Sequence, residues 1–483
     1  MSFERIPSEV IEAFTKQKCY KLLVKGAPGT GKTLLALSIC AFLNNKAPAI
    51  YLSTRVTPEN LYQTYPWVQK LVPSKYVLDA TASRHKPSGD IAVAFKYVDK
   101  PAFLQAVYEL CSQSPKPIAI IVDSLEALKE NLQIAKEDLS LENTIIDLSQ
   151  ATETHLIFVS ETEKATPTDY LVDGIIEQVG VRNDAFTRLT EIRKLRGVEI
   201  KNPCYLFSLQ GGQYQVLEPQ RFTLDDQLRL ENKVKFEPIK NMSGRVSTGS
   251  EYLDEVTGGG YLPGSVNLME IQRELGESYD YFYLPTIFNQ ILNGGSVFII
   301  PPSGIQAQAM KKMISQVISE EQIKNQVKIV DFQSIPGTSL EKVEKDEPWR
   351  VIIEGRDLSQ DYQKILDALT AMMKEHETVL VLAGCDTLEL VYQWQTERTL
   401  DVVAGICRSV IEMKMAGTPI LCLAKYGQTR LIDYLNHISD NHFRVRNVKG
   451  TTVIHGVFPH FPAMYPRMKK GEKGFRVELI PIS

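Results

Sequence analysis

The run KLLVKGAPGTGKTLLALSI at residues 21–39 limits the fold more sharply than anything else in the chain. An apolar stretch precedes GxxxxGKT and a helical pattern follows it, the strand-loop-helix setting that separates a phosphate-binding loop from a chance match. Gly26, Gly29 and Gly31 allow the loop, completed by Ala27, Pro28 and Thr30, to wrap with its amides facing inward. The helix N-terminus adds a dipole and free N–H groups that favour phosphate. Lys32 is expected to reach the β- and γ-phosphates and the Thr33 hydroxyl to coordinate magnesium, so ATP and Mg2+ are the expected ligands.

Such a loop needs a second carboxylate to orient the metal. Asp123 closes the apolar run IAIIVD and fits that role, 90 residues beyond Thr33. Ser124 follows it, and Glu126 lies three residues on, where a helix-start residue and a catalytic acid are equally good readings.

Short β-branched runs alternate with helical patterns throughout, the mark of βαβ units around a mostly parallel sheet. In the first half strands are expected at 21–25, 49–53, 118–122 and 155–160, and residues 186–218 alternate like antiparallel strands with a Gly-Gly turn. The second half repeats the order. Ala49 corresponds to Ser296 (offset 247), Asp123 to Asp386 (263) and Thr154 to Thr418 (264), which indicates duplication of a whole domain. At 483 residues, and with roughly 150 per domain as a prior, two large α/β domains satisfy the length. The expected division is 1–218, a charged linker at 219–242, and 243–483.

With 58 acids against 54 bases the net charge is −4, which argues against a protein coated in nucleic-acid-binding surface. No stretch approaches the ~20 apolar residues of a membrane span, and MSFERIPSEVIEAF carries no apolar signal core, so no membrane role and a cytoplasmic location are expected. The seven cysteines are scattered and read as buried thiols, and neither they nor the seven histidines show metal-ligand spacing.

GAPGTGKT, IIVDSLEAL, DGII at 173–176 and KLRG at 194–197 resemble the RecA-superfamily ATPases grouped around KaiC and the archaeal gas-vesicle regulator GvpD. STRV at 53–56 followed by TPENLYQTYPW is most similar to the GvpD branch, and RVSTGSEYLDEVTGGGYLPGS at 245–265 resembles the opening of a KaiC-type domain. The resemblance implies two tandem RecA-like domains, each with a mostly parallel sheet, flanking helices and an antiparallel extension. It also implies assembly into homo-oligomers in which Lys194 and Arg196 project toward a neighbour's γ-phosphate. Where KaiC-type domains carry adjacent glutamates that polarise water, this chain has Arg55 and Val56. Hydrolysis is therefore expected to be slow, with Arg55 contacting the γ-phosphate and Glu59 or Glu161 as substitute carboxylates.

In the second half IQRELGES places Ile271 at the first glycine of the loop and Glu277 at the lysine, so this copy is not expected to hold ATP. Between Lys425 and Arg476 ten basic residues face three acids, interleaved with aromatics including Tyr426 and Phe443. That excess suits DNA, an acidic protein, or an adjacent subunit. The leading function is a nucleotide-controlled regulatory ATPase, which by resemblance to GvpD would act on a transcriptional activator. A DNA-dependent ATPase and a non-catalytic ATP-binding scaffold are the competing readings.

Overall fold

The computed structural model describes residues 5–43, 49–54, 56–79, 100–182, 185–231, 234–242, 244–333, 347–393, 399–425 and 431–482. The chain divides into two compact units, Met1–Glu218 with Ile482–Ser483, and Pro219–Pro481.

The first unit is built on β1 (Lys21–Gly26), β2 (Ile50–Ser53), β3 (Val77–Asp79), β4 (Ala119–Asp123), β5 (His155–Val159), β6 (Gly174–Arg182), β7 (Phe186–Leu195), β8 (Cys204–Ser208) and β9 (Gln215–Leu217). They form one sheet in the order β3-β2-β4-β5-β1-β6-β7-β8-β9. Pairing is parallel from β3 through β6 and antiparallel beyond it. Both faces are covered, which is why the central strands β4 and β5 are apolar in continuous runs rather than at alternate positions. Leu22, Val24, Ile121 and Ile157 pack on one side with Leu35 and Ile39 of the helix Lys32–Leu43. Leu23, Ile120, Val122 and Phe158 pack on the other with Leu141 and Ile145 of the helix Ser140–Ala151. The expected Gly-Gly turn is present between β8 and β9, with Gly211 and Gly212 at φ 66° and 67°.

In the second unit β10 (Val266–Ile271), β11 (Ser296–Ile300), β12 (Val327–Phe332), β13 (Arg350–Ile353), β14 (Val379–Gly384), β15 (Ile420–Lys425), β16 (Asn441–Val448), β17 (Thr451–Phe458), β18 (Phe461–Lys470) and β19 (Phe475–Pro481) make a second sheet. Its order is β13-β12-β11-β14-β15-β10-β16-β17-β18-β19, again parallel as far as β16 and antiparallel after it. With β1 matched to β10 and β4 to β14, the two sheets run in the same sequence, and β13 is the one addition among the described strands. The fold is α/β, with tandem sheets of one topology.

The charged segment 219–242, read from sequence as a linker, lies inside the second unit. Thr223 and Asp226 form a capping box at the start of the helix Leu224–Leu230, and Arg229 pairs with Asp225. The backbone N–H groups of Leu224 and Asp225 donate to the two oxygens of Asp280, each at 2.9 Å, and Phe236 forms a bridge with Phe475. Burial pushes the Asp280 carboxyl up to about 7, against the pull of those amides. Leu224, Leu228 and Phe236 are core residues, so the segment's charges sit around an apolar stripe.

Five cysteines (Cys40, Cys111, Cys204, Cys385 and Cys422) are buried, and none of the seven is joined in a disulfide. No described helix is long and apolar enough to cross a membrane.

A buried ion pair fixes the helices beneath β4. Lys129 Nζ lies 2.6 Å from Glu142 Oε1, with side chains 6% and 0% exposed, and its other partner is the Lys136 carbonyl at 2.9 Å. Removing the carboxylate strands a buried ammonium, so Glu142→Ala is expected to cost about 3–5 kcal/mol, whereas Lys129→Met with Glu142→Leu should be near neutral. Denaturant midpoints of the two variants check this, and equal losses would show that packing alone matters there.

Candidate nucleotide site

Gly26 ends β1 beside Gln178 of β6, and a Cβ on it would fall 2.3 Å from the Gln178 carbonyl oxygen. Gly29 and Gly31 also have positive φ, 78° and 91°, and a Cβ at Gly31 would press on Leu209 and Phe207. Only glycine meets those demands without strain. Thr30 Oγ1 donates to the Ala27 carbonyl at 2.8 Å, closing the loop on itself, while Pro28 and Gly29 are exposed.

Lys32 opens the helix Lys32–Leu43 and is 6% exposed. Its ammonium donates back into the loop, to the carbonyls of Gly26 at 2.8 Å and Ala27 at 2.7 Å. Thr33 Oγ1 donates to Asp123 Oδ2 at 2.6 Å. The structure thus brings together the lysine, the threonine and the carboxylate that the sequence places 90 residues apart. Burial raises the Asp123 carboxyl above its ordinary value. The hydroxyl bonds from Thr33 and Tyr51 and the Lys32 charge pull it down, and the Glu161 charge adds to the rise.

Two neighbours of Asp123 carry no motif signal. Tyr51 on β2 donates its hydroxyl to Asp123 Oδ2 at 2.8 Å. Thr54 Oγ1 donates to the Asp123 carbonyl and accepts from Ser124 N, both at 2.8 Å, clamping the backbone on either side of that peptide. Both follow from β2 lying parallel to β4 in register, Ser53 against Asp123.

Arg188 on β7 also carries no motif signal, and it lies at the loop. Its Nη1 donates to the Gly29 carbonyl at 2.9 Å, its Nε is buried without a hydrogen-bond partner among the described residues, and burial lowers its pKa. Gly180, which it faces across the sheet, lies two residues beyond Gln178, so β6 carries it to the level of the loop.

Lys194 and Arg196 behave differently from each other. Lys194 Nζ is held by the carbonyls of Asp169 at 3.0 Å and Val172 at 2.6 Å. The Arg196 side chain is 58% exposed and only loosely paired with Asp173, at 3.6 Å. Lys194 is level with Ile175 and Leu23, three strand positions (about 10 Å) from the level of Gly26, and Arg196 follows the last residue of β7, its amide on the Asp173 carbonyl. Within one chain they are at the opposite end of the sheet from the phosphate loop.

Glu126 accepts from the Ser160 hydroxyl and, at 3.2 Å, from Glu161 N, so its carboxylate fastens the helix Leu125–Asn131 to the end of β5. Glu59 is exposed in the first turn of the helix Pro58–Thr64. Arg55 lies outside the described residues.

The second unit does not rebuild the arrangement. Ile271 takes its place in the core where Gly26 needs no side chain at all, and Glu277 is exposed. Ser278 Oγ bonds to the Leu275 carbonyl and to Thr452 Oγ1, whereas Asp386 is satisfied by Ser303 and the Thr387 amide. The hydroxyl and the carboxylate that meet in the first unit have separate partners here.

The basic window from 425 to 476 is partly neutralised in the fold, with five of its ten bases in ion pairs. Arg444 pairs with Glu270, Lys470 with Glu231, Arg476 with Glu237 and Glu251, and Arg467 and Lys469 with Glu478. All five acids lie outside the window, which is why the count within it showed an excess. Tyr426 and Arg430 lie outside the described residues.

Residues 11–197 match the family described as GvpD gas vesicle protein, P-loop domain. Protein GvpD2 of Halobacterium salinarum is 25% identical over 473 residues, 95% of this chain and 92% of the relative. Protein GvpD1 of the same organism is 27% identical over 346 residues, covering 70% of this chain and 64% of its own length. Residues 11–197 are therefore similar to the P-loop domain of GvpD, and the similarity to GvpD2 extends over nearly the whole chain.

Proposed function

We propose that this chain is a nucleotide-controlled regulator whose first unit binds ATP with Mg2+ and hydrolyses it slowly, changing the assembly or partner affinity of the protein. The observation that carries the reading is the Thr33–Asp123 contact at the mouth of a loop whose glycines, lysine and helix start are all in place. The loop amides and Lys32 would hold the phosphates. Thr33 and Asp123 would hold the metal, which supplies charge neutralisation across the phosphate oxygens. Arg188, already at the Gly29 carbonyl, would add a cation from the same subunit, and Arg196 a cation from a neighbour in a homo-oligomer. Slow turnover follows from the missing pair of glutamates after β2, with Glu161, whose charge adds to the rise of the Asp123 carboxyl, as a substitute carboxylate. The second unit would serve contacts. By resemblance to GvpD its partner is a transcriptional activator, and the paired charges between 425 and 476 favour a protein partner over DNA.

The test is mass in solution and phosphate release with ATP, ADP or no nucleotide, each with and without DNA. A nucleotide-dependent change in mass and a turnover below the ~1–100 s⁻¹ of ordinary phosphoryl-transfer enzymes, indifferent to DNA, is expected. Turnover that DNA stimulates would transfer the protein to the recombinase-like class.

A further inference from the structure

Lys25 directly precedes the phosphate loop, yet points away from it. It lies on the same face of β1 as Leu23, is 3% exposed, and both oxygens of Asp169 lie 3.0 Å from its Nζ. Asp169 belongs to the four-residue helix Thr168–Leu171, which joins β5 to β6. Its carboxylate also accepts from Thr166 Oγ1 at 2.7 Å, and the Lys164 carbonyl completes the cage around Lys25.

The other side of the same short helix is held by Lys194, through the Asp169 and Val172 carbonyls. One residue beyond that helix's carbonyls, Asp173 accepts from Lys21 N and Nζ, pairs with Arg196 and takes the Arg196 amide on its own carbonyl at 2.9 Å. An unbroken series of contacts therefore runs from the residue before Gly26, through Asp169, to the edge that carries Arg196. A buried lysine with a bidentate carboxylate is a costly way to anchor a four-residue helix if anchoring were all it did.

We infer that Asp169 is a positioning residue that ties the phosphate loop of a subunit to the edge bearing that subunit's own Arg196, so that nucleotide in one site sets how the arginine is offered to the next. The inference rests on the proposed nucleotide function. Lys32 supplies the input, because the Gly26 and Ala27 carbonyls it now holds compete with phosphate for the same ammonium. A change at Gly26 is felt first by its chain neighbour Lys25, whose ammonium is held, among the described residues, by Asp169 and the Lys164 carbonyl. Tyr170, 83% exposed on the same short helix, moves with it and places an aromatic ring on the face that the relay controls.

The experiment is amide exchange over residues 192–198, with and without Mg-ATP, at a concentration where the protein is monomeric by mass photometry. In that state no neighbour can protect Arg196 directly. Nucleotide affinity is measured separately by calorimetry. The wild-type protein should show a roughly fivefold or greater change in exchange at this segment. Lys25→Met with Asp169→Leu, which removes the ion pair without leaving a buried charge, should bind Mg-ATP within about threefold of wild type and lose most of that change. Lys194→Met, which leaves the loop and the Lys25–Asp169 side-chain pair in place and removes only the grip on the Asp169 and Val172 carbonyls, should do the same. Wild-type protein that binds nucleotide without any response at 192–198, or a double variant with the full response, would overturn the relay. Absence of binding in the calorimeter would instead bring down the nucleotide reading on which it stands.

Discussion

Lys32→Ala is expected to remove nucleotide binding from the whole chain. Each charge-assisted contact from the ammonium to phosphate contributes about 1.5–3 kcal/mol, and two such contacts put the loss at 10²-fold or more in affinity. The loss should be total rather than partial because the second unit offers no alternative cradle. Ile271 fills the position of the first glycine, and Ser278 and Asp386 are engaged elsewhere. Thermal stability is a suitable control, since the two carbonyls that Lys32 holds lie in a loop whose tip is already exposed. Calorimetry with Mg-ATP decides the matter. Stoichiometric binding by the variant would locate a second site in the second unit and remove the basis for treating it as a contact domain.

The part of this site that could be read in the sequence was the part written locally. The strand, the glycine-rich turn and the helix occupy one run from Lys21 to Leu43, and the carboxylate of Asp123 announces itself by ending an apolar strand. Tyr51, Thr54 and Arg188 could not be read in that way. Each acquires its role from sheet neighbours, Tyr51 and Thr54 from a strand some 70 residues distant and Arg188 from a loop 159 residues away, and a tyrosine on a buried strand looks like core. The same limit explains the segment 219–242. Its charges suggested a solvated linker, but Asp226 is spent on a cap and Asp225 on Arg229, which leaves Leu224, Leu228 and Phe236 to enter the core. The excess of bases counted between 425 and 476 is reduced for a related reason, because Glu231, Glu237, Glu251 and Glu270 pair with it from 170 or more residues upstream. The duplication, by contrast, was legible from offsets alone, since strand order is conserved between the two sheets even where the chemistry of the loop has been lost.

Arg196→Ala should leave nucleotide affinity nearly intact and reduce turnover by 10²-fold or more, the scale of an arginine that stabilises charge developing on a transferred phosphoryl group. On the proposed function the effect acts between subunits. Arg196 lies at the far end of β7 from its own loop, while its side chain is the exposed member of the 194–196 pair. Lys194, held by two backbone carbonyls, should respond through position rather than through charge at the neighbour's phosphate. Mixing separates these accounts. In an equimolar mixture of Arg196→Ala and Lys32→Ala, each inactive alone, a head-to-tail assembly pairs an intact loop with an intact arginine at about a quarter of its interfaces, so roughly a quarter of wild-type turnover should return. A mixture that stays inactive, from subunits that remain monomeric in Mg-ATP, would confine catalysis to one chain. Arg188, the cation that already touches Gly29, would then be the arginine that matters.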